Sequence, residues 1–273
     1  MSFSQAYMAQ RIAVTKFSMF KALFRRVLSA YETAVGFRSP EMEGIRARWQ
    51  NYHRGSYQSG VSVMVDRIAK RGGVCVDVGA NIGVIAKQMA KRVGRTGKVI
   101  AIEANPTLFP LLRYNLRRLS QAECVSCAAG EKVGTMTLRF SEFETGRGSL
   151  VMPSGDQEAS VEIRPLSSIL KQRVIARVDL LKIDVEGFEL SVLNGLSEIM
   201  PNAIIIEYNQ EFQIAAGIEP NVFLNWFNER QYAVSVVGDQ HAAITSVRDL
   251  PSDGVDLVAV RACVHSEGSS QSC

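Results

Sequence analysis

The sequence predicts an α/β protein: one doubly wound domain whose seven-stranded, mostly parallel sheet carries helices on both faces. Three observations predict it. Short apolar runs (74–78, 98–103, 180–185 and 203–208) alternate with segments whose apolar residues recur at helical spacing. Those runs are apolar almost throughout, as strands covered on both faces are. The first of them ends in a glycine-bracketed turn, Gly79-Ala80-Asn81-Ile82-Gly83, where sheets of this kind bind ligands.

The elements follow in order. Val74–Val78 is the first strand, and Ile82, Ile85, Ala86, Met89, Ala90 and Val93 give the next helix one apolar face. Residues 98–103 form the second strand. Residues 106–119 form a helix, with Pro106 suited to its first turn. A third strand is expected over 124–129. The pattern then changes: Thr135–Phe140 and Ser160–Ile163 alternate apolar and polar residues, as edge strands or a hairpin do, around a glycine-bearing loop at 144–157. Strand 180–185, helix 188–199, strand 203–208, helix 221–230 and two last strands at 234–237 and 256–260 complete the domain.

Length and composition set limits. The 273 residues, 47% of them hydrophobic, divide into a basic amphipathic extension (1–35), the α/β domain (36–264) and a Ser/Gly-rich tail (265–273). Residues 8–31 carry Arg11, Lys16, Lys21, Arg25 and Arg26 beside aromatic residues at helical spacing. They suit a helix packed on the domain or on a second copy in a homodimer, or a peripheral membrane contact; a transit peptide fits loosely. No apolar run reaches the length of a membrane span. A net charge of +4 is too diffuse to suggest a nucleic-acid partner. His53, His241 and His265 are too scattered for a histidine metal site. The five cysteines are odd in number and follow no signal peptide, which fits a reducing cytoplasm; Cys124 and Cys127, in a strand-like run, read as buried small hydrophobes.

The glycine turn excludes one ligand and favours another. A pyrophosphate-binding turn needs a glycine two positions after Gly79, and Asn81 stands there; Asp77 adds negative charge at the entrance. A nucleoside with cationic groups and no phosphate fits better. S-adenosylmethionine is such a ligand: Asp77 would receive its ammonium, Gly79 and Gly83 would let backbone pass close, and Glu103, ending the second strand, would accept the ribose hydroxyls. A second motif, Leu181-Lys182-Ile183-Asp184-Val185-Glu186-Gly187-Phe188-Glu189, puts an ammonium and two carboxylates into an otherwise buried strand. That is costly unless they are paired or functional. Either they form an internal ion-pair network, or Asp184 and Glu207, at adjacent strand ends, face the transferring methyl group.

DVGANIG, IEANP, LLKIDVEGFELSVLNG and IIIE, in that order over residues 72–210, resemble the FkbM family of S-adenosylmethionine-dependent methyltransferases. The resemblance implies a class I, Rossmann-like fold and methyl transfer to a hydroxyl oxygen of a sugar, glycan or natural product. It implies a donor loop of Asp77, Gly79, Ala80, Asn81 and Gly83, with Glu103, Ala104 and Asn105 at the ribose end and Ala129 nearby. Asp184, Glu186 and Glu207 take the acidic strand-end positions, with Lys182 beside them. The family's usual Thr-Leu-Asp before this strand is missing; Ser167 stands in place of its Asp.

Chemistry then orders the candidates. The acceptor oxygen must lie about 3 Å from the methyl group, and its proton must leave as attack develops. Asp184 is the first candidate base and Glu207 the second. Lys182 favours the charged form of Asp184. A divalent ion on Asp184, Glu186 and Glu207 suits their oxygens, but nothing in the spacing demands one, and no metal is assigned. Two readings from other classes remain: a nicotinamide-dependent oxidoreductase, which Asn81 argues against, and a non-catalytic donor-binding module, which the intact acids argue against.

Overall fold

The computed structural model describes residues 59–140, 157–250 and 254–261. The basic extension, residues 144–156 of the glycine-bearing loop and the tail lie outside them. The elements are α1 (Ser59–Ile68), β1 (Val74–Val78), α2 (Val84–Val93), β2 (Lys98–Ile102), α3 (Phe109–Leu116), β3 (Ala122–Val125), β4 (Ala128–Gly130), β5 (Gly134–Phe140) and β6 (Gln157–Pro165). They continue with α4 (Leu166–Lys171), β7 (Leu180–Ile183), α5 (Glu189–Asn194), β8 (Ala203–Tyr208), α6 (Gln210–Ala215), α7 (Pro220–Glu229), β9 (Tyr232–Val236), β10 (Asp239–Ala243), a short 3-10 turn and β11 (Val255–Arg261).

The main sheet has eight strands in the order β10-β9-β11-β8-β7-β1-β2-β3. Each of the seven strands read from the sequence contributes to it, the third only through its first residues, and β10 adds an eighth at the edge, paired with β9. The expected third strand is split in two. β3 stays in the main sheet beside β2, while β4 leaves it to pair with β6 in a separate three-stranded sheet, β4-β6-β5. The expected hairpin is the antiparallel pair β5 and β6.

Strand alternation builds two cores. Val76, Val78, Leu181, Ile183, Ile204 and Ile206 face α4, α5 and α7, whereas Cys75, Val99, Ala101, Leu180 and Ile205 face α1, α2 and α3. Each face is closed by helices, which is why the central strands are apolar on both sides. An aromatic chain (Tyr208, Phe223, Phe227 and Tyr232) ties the end of β8 to α7 and β9.

The chain runs outward through β1, β2 and β3, then returns to place β7 on the other side of β1. The strand order therefore reverses between β1 and β7, and it is outside the carboxyl ends of the strands at such a reversal that sheets of this kind bind ligands. β11 runs antiparallel to β8, so its first residues reach the same end of the sheet.

Candidate active site

The loop after β1 is built by backbone conformation. Gly79, Asn81 and Gly83 all have positive φ (76°, 53° and 90°). The two glycines are needed for reasons internal to the protein. A Cβ on Gly79 would lie 1.8 Å from the carbonyl oxygen of Asp184, and one on Gly83 would lie 2.7 Å from Leu112 Cδ1. The first glycine thus lets the β1 and β7 loops touch, and the second seats α2 against α3. The N–H groups of Gly79 and Ala80 both donate to Ile102 O, at 3.0 and 2.9 Å, which fixes the loop to β2. Asn115 of α3, buried and not singled out by sequence reasoning, donates from Nδ2 to Ile82 O at 2.9 Å.

Glu103 joins this loop to the next. Its Oε2 accepts from Asn81 N–H at 2.7 Å and its Oε1 from Asn105 N–H at 2.8 Å. Burial pushes its carboxyl up to about 7, with the two backbone donors opposing. A carboxylate has about four acceptor positions, so each oxygen keeps capacity for a further hydroxyl. Asn105 is 2% exposed; its Oδ1 accepts from Thr107, and its Nδ2 is a buried donor without a partner. A held carboxylate and an orphaned amide donor, side by side at the end of β2, fit the ribose of a nucleoside. Ala104 packs against the β5–β6 hairpin, while Ala129 lies in the core beside β6.

Asp77, at the end of β1, is joined to β7. It is wholly buried and faces Lys182, its register partner on β7, with Oδ1 3.6 Å from Nζ. Burial raises its carboxyl, and Lys182 opposes the rise. Lys182, itself 3% exposed, also reaches Asp184 Oδ2 at 3.0 Å. The internal ion-pair network read as an alternative is therefore real for Asp77–Lys182–Asp184. Lys182 thus links buried Asp77 to Asp184 at the carboxyl end of β7.

Beyond β7 the chain turns sharply, with Glu186 (φ 53°) and Gly187 (φ 104°) consecutively left-handed. The turn brings Asp184, Glu186 and Glu207 together: one oxygen from each lies within 4.8 Å of the others. Like charges so close cannot all ionise cheaply. Glu207 takes the strain. Its carboxyl is pushed up to about 10, by burial first and then by Asp184 and Glu186, with a side-chain hydrogen bond to Asp184 among the causes. The three carboxyls therefore titrate as a coupled group, and the first proton the cluster takes up is shared among them.

Two further groups join the cluster that sequence reasoning missed. Asp256, the register partner of Glu207 on β11, is pushed up to about 6 by burial and by Asp184. Glu189 lies buried under the turn. Asp256 has no local signature; only the antiparallel register of β11 brings it here. Ser167 lies elsewhere, with its N–H donating to Gly195 O. The described cysteines are inert by the same physics that buries them: the thiols of Cys75, Cys124 and Cys127 are pushed up to about 12, 11 and 11, chiefly by burial. His241 lies on β10, three strands from β8.

A doubly wound sheet with an acid-and-amide pocket at β2 and a carboxylate cluster at β7 and β8 defines a nucleoside-binding enzyme, and comparison gives the family. The methyltransferase FkbM domain matches residues 77–234, and the chain belongs to that family. It is 30% identical over 184 residues to methyltransferase sdnD of Sordaria araneosa, covering 54% of this chain and 69% of that one. It is 30% identical over 145 residues to methyltransferase 1 of Beauveria bassiana (strain ARSEF 2860), covering 45% and 58%. Among solved structures it is similar to the TehB-like S-adenosylmethionine-dependent methyltransferase of Corynebacterium glutamicum (TM-score 0.44, 15% identity, 81% and 98% covered). It is also similar to Aeropyrum pernix fibrillarin with natively bound S-adenosyl-L-methionine (TM-score 0.43, 12% identity, 71% and 68% covered). The protein is an S-adenosylmethionine-dependent methyltransferase. No helix among the described residues is long and apolar enough to cross a membrane.

Proposed function

We propose that this methyltransferase acts on a hydroxyl oxygen of a neutral, hydroxyl-rich acceptor: a sugar, a glycan or a natural product. The observation that carries the reading is the close grouping of the Asp184, Glu186 and Glu207 carboxyls, with Asp184 one loop away from Gly79. Bound S-adenosylmethionine supplies a methyl group already activated on a positive sulfonium. What remains is to hold the acceptor in line and to receive its proton. Glu103 and Asn105 hold the ribose. Asp184, aimed by Lys182, accepts the hydroxyl proton as the new carbon–oxygen bond forms. Protonated Glu207 hydrogen-bonds to Asp184 and limits the charge there. Phosphorylated or carboxylated acceptors would be repelled by the negative charge that the cluster keeps.

That same cluster, with Asp256 as its fourth carboxyl, favours a second reading: a cationic amine acceptor that loses its proton to Asp184 before attack. The test is an acceptor panel of glycans, polyols and amines incubated with the methyl donor and scored by mass for one added methyl group. Methylation confined to hydroxyl acceptors supports the first reading; methylation confined to amines replaces it with the second.

A further inference from the structure

We propose that Glu189 and Gln213 form a buried clasp that sets the spacing of the acid cluster, which makes Glu189 a positioning residue for methyl transfer. The inference rests on the functional reading above and adds two residues to which it assigns no role. Glu189 opens α5 and is 2% exposed; Gln213 lies in α6 and is fully buried. Glu189 Oε1 accepts from the N–H groups of Val185 (3.2 Å) and Gly187 (3.1 Å), and Oε2 from Gly187 (3.0 Å). Those two N–H groups flank Glu186, the residue held in the left-handed region. A non-glycine residue stays there only when its surroundings over-determine it. Two backbone N–H groups donating to one buried carboxyl, that of Gly187 to both of its oxygens, supply that determination.

The second half of the clasp is Gln213 Nε2, which donates to Glu189 Oε2 at 2.7 Å. Gln213 belongs to the helix that directly follows β8, the strand carrying Glu207. The pair therefore ties the turn bearing Asp184 and Glu186 to the segment that follows Glu207. Burying a carboxylate and an amide here is costly; burial raises the Glu189 carboxyl. Gln213 Oε1 is left without a partner. A cost of this kind at a turn that holds candidate catalytic groups is what a positioning role accounts for.

The clasp works through hydrogen-bond geometry and not through charge, and this sets the test. In Glu189→Gln the amide oxygen can keep both backbone donors, and Gln213 can turn its free Oε1 toward the new NH₂ group. In Glu189→Ala nothing holds the turn. With any acceptor the parent methylates, Glu189→Ala is expected to lower kcat at least tenfold with donor Kd within about twofold of the parent, and Glu189→Gln to keep most of the turnover. Parent-like kcat in Glu189→Ala overturns the clasp. Equal loss in both variants also overturns it, because charge would then be what matters. Should Glu189→Ala not fold, Gln213→Ala keeps the backbone bonds and cuts only the tie to α6; it is expected to lower kcat several-fold, and an unchanged kcat overturns the proposal. If the parent methylates nothing, the functional reading has failed, and the clasp is decided by amide resonances. Those of Val185 and Gly187 must shift in Glu189→Ala and stay near parent positions in Glu189→Gln; any other pattern overturns it.

Discussion

Glu103 does two things with one carboxylate: it ties Asn81 to Asn105 by their backbone N–H groups, and it keeps lone pairs for a ligand. Hydrogen bonds to a charged group contribute about 1.5–3 kcal/mol each. Glu103→Ala is therefore expected to weaken donor binding by roughly 10–100-fold or more. Calorimetric titration with S-adenosylmethionine checks this, and parent-like affinity would remove Glu103 from the pocket. Glu207 has a different signature. Its ordinary value of 4.5 is raised to about 10 in the folded chain, so the folded state holds a proton that the unfolded chain sheds. The stability this provides is complete below pH 4.5 and is lost as pH rises toward 10. Glu207→Gln does not titrate, so thermal unfolding between about pH 6 and 9 should decline less steeply in the variant than in the parent. Parallel declines would mean that the carboxyl does not hold the proton.

The elements matter because they touch where chemistry is placed. The β1 and β7 loops meet at Gly79 and Asp184, and a methyl group on Gly79 has no room and an unfavourable φ. Gly79→Ala should cost roughly 2–4 kcal/mol in urea unfolding and displace Asp184 along with the donor loop; a loss under about 0.5 kcal/mol would mean that the contact yields freely. How much of this could be read in the sequence follows from how local each feature is. The strand–helix alternation, the loop 79–83, the hairpin and the run 181–189 are local patterns, and each is found in the structure. The purpose of Gly79 was not local. Its neighbour is the carbonyl of Asp184, far along the chain. That Lys182 of β7 faces Asp77 from inside the sheet is likewise set by strand register and not by residues near Asp77. Asp256 and Gln213 carry no pattern at all. An antiparallel register and a helix docking bring them in, and neither is encoded within a few residues of them. The break of the third strand at Ser126 and Cys127 likewise reflects β4 pairing with a strand some thirty residues on.

At the scale of the molecule, the sheet gathers acids at one end. Asp184, Glu186 and Glu207 come from β7, its turn and β8, Asp256 from the reversed strand β11, and Glu103 from β2. Between them lies the reversal of strand order, where sheets of this kind bind ligands. Family membership gives the reaction class, and the cluster gives the place where a proton can go. The central claim is that Asp184 receives the acceptor's proton while the donor is held elsewhere. The most direct measurement is turnover of Asp184→Asn beside the parent, with donor affinity measured on the same samples. Loss of a general base typically costs 10²–10⁴-fold, or about 3–5 kcal/mol of barrier. The account predicts a fall in kcat of about that size with donor Kd nearly unchanged. Parent-like turnover in Asp184→Asn would contradict it.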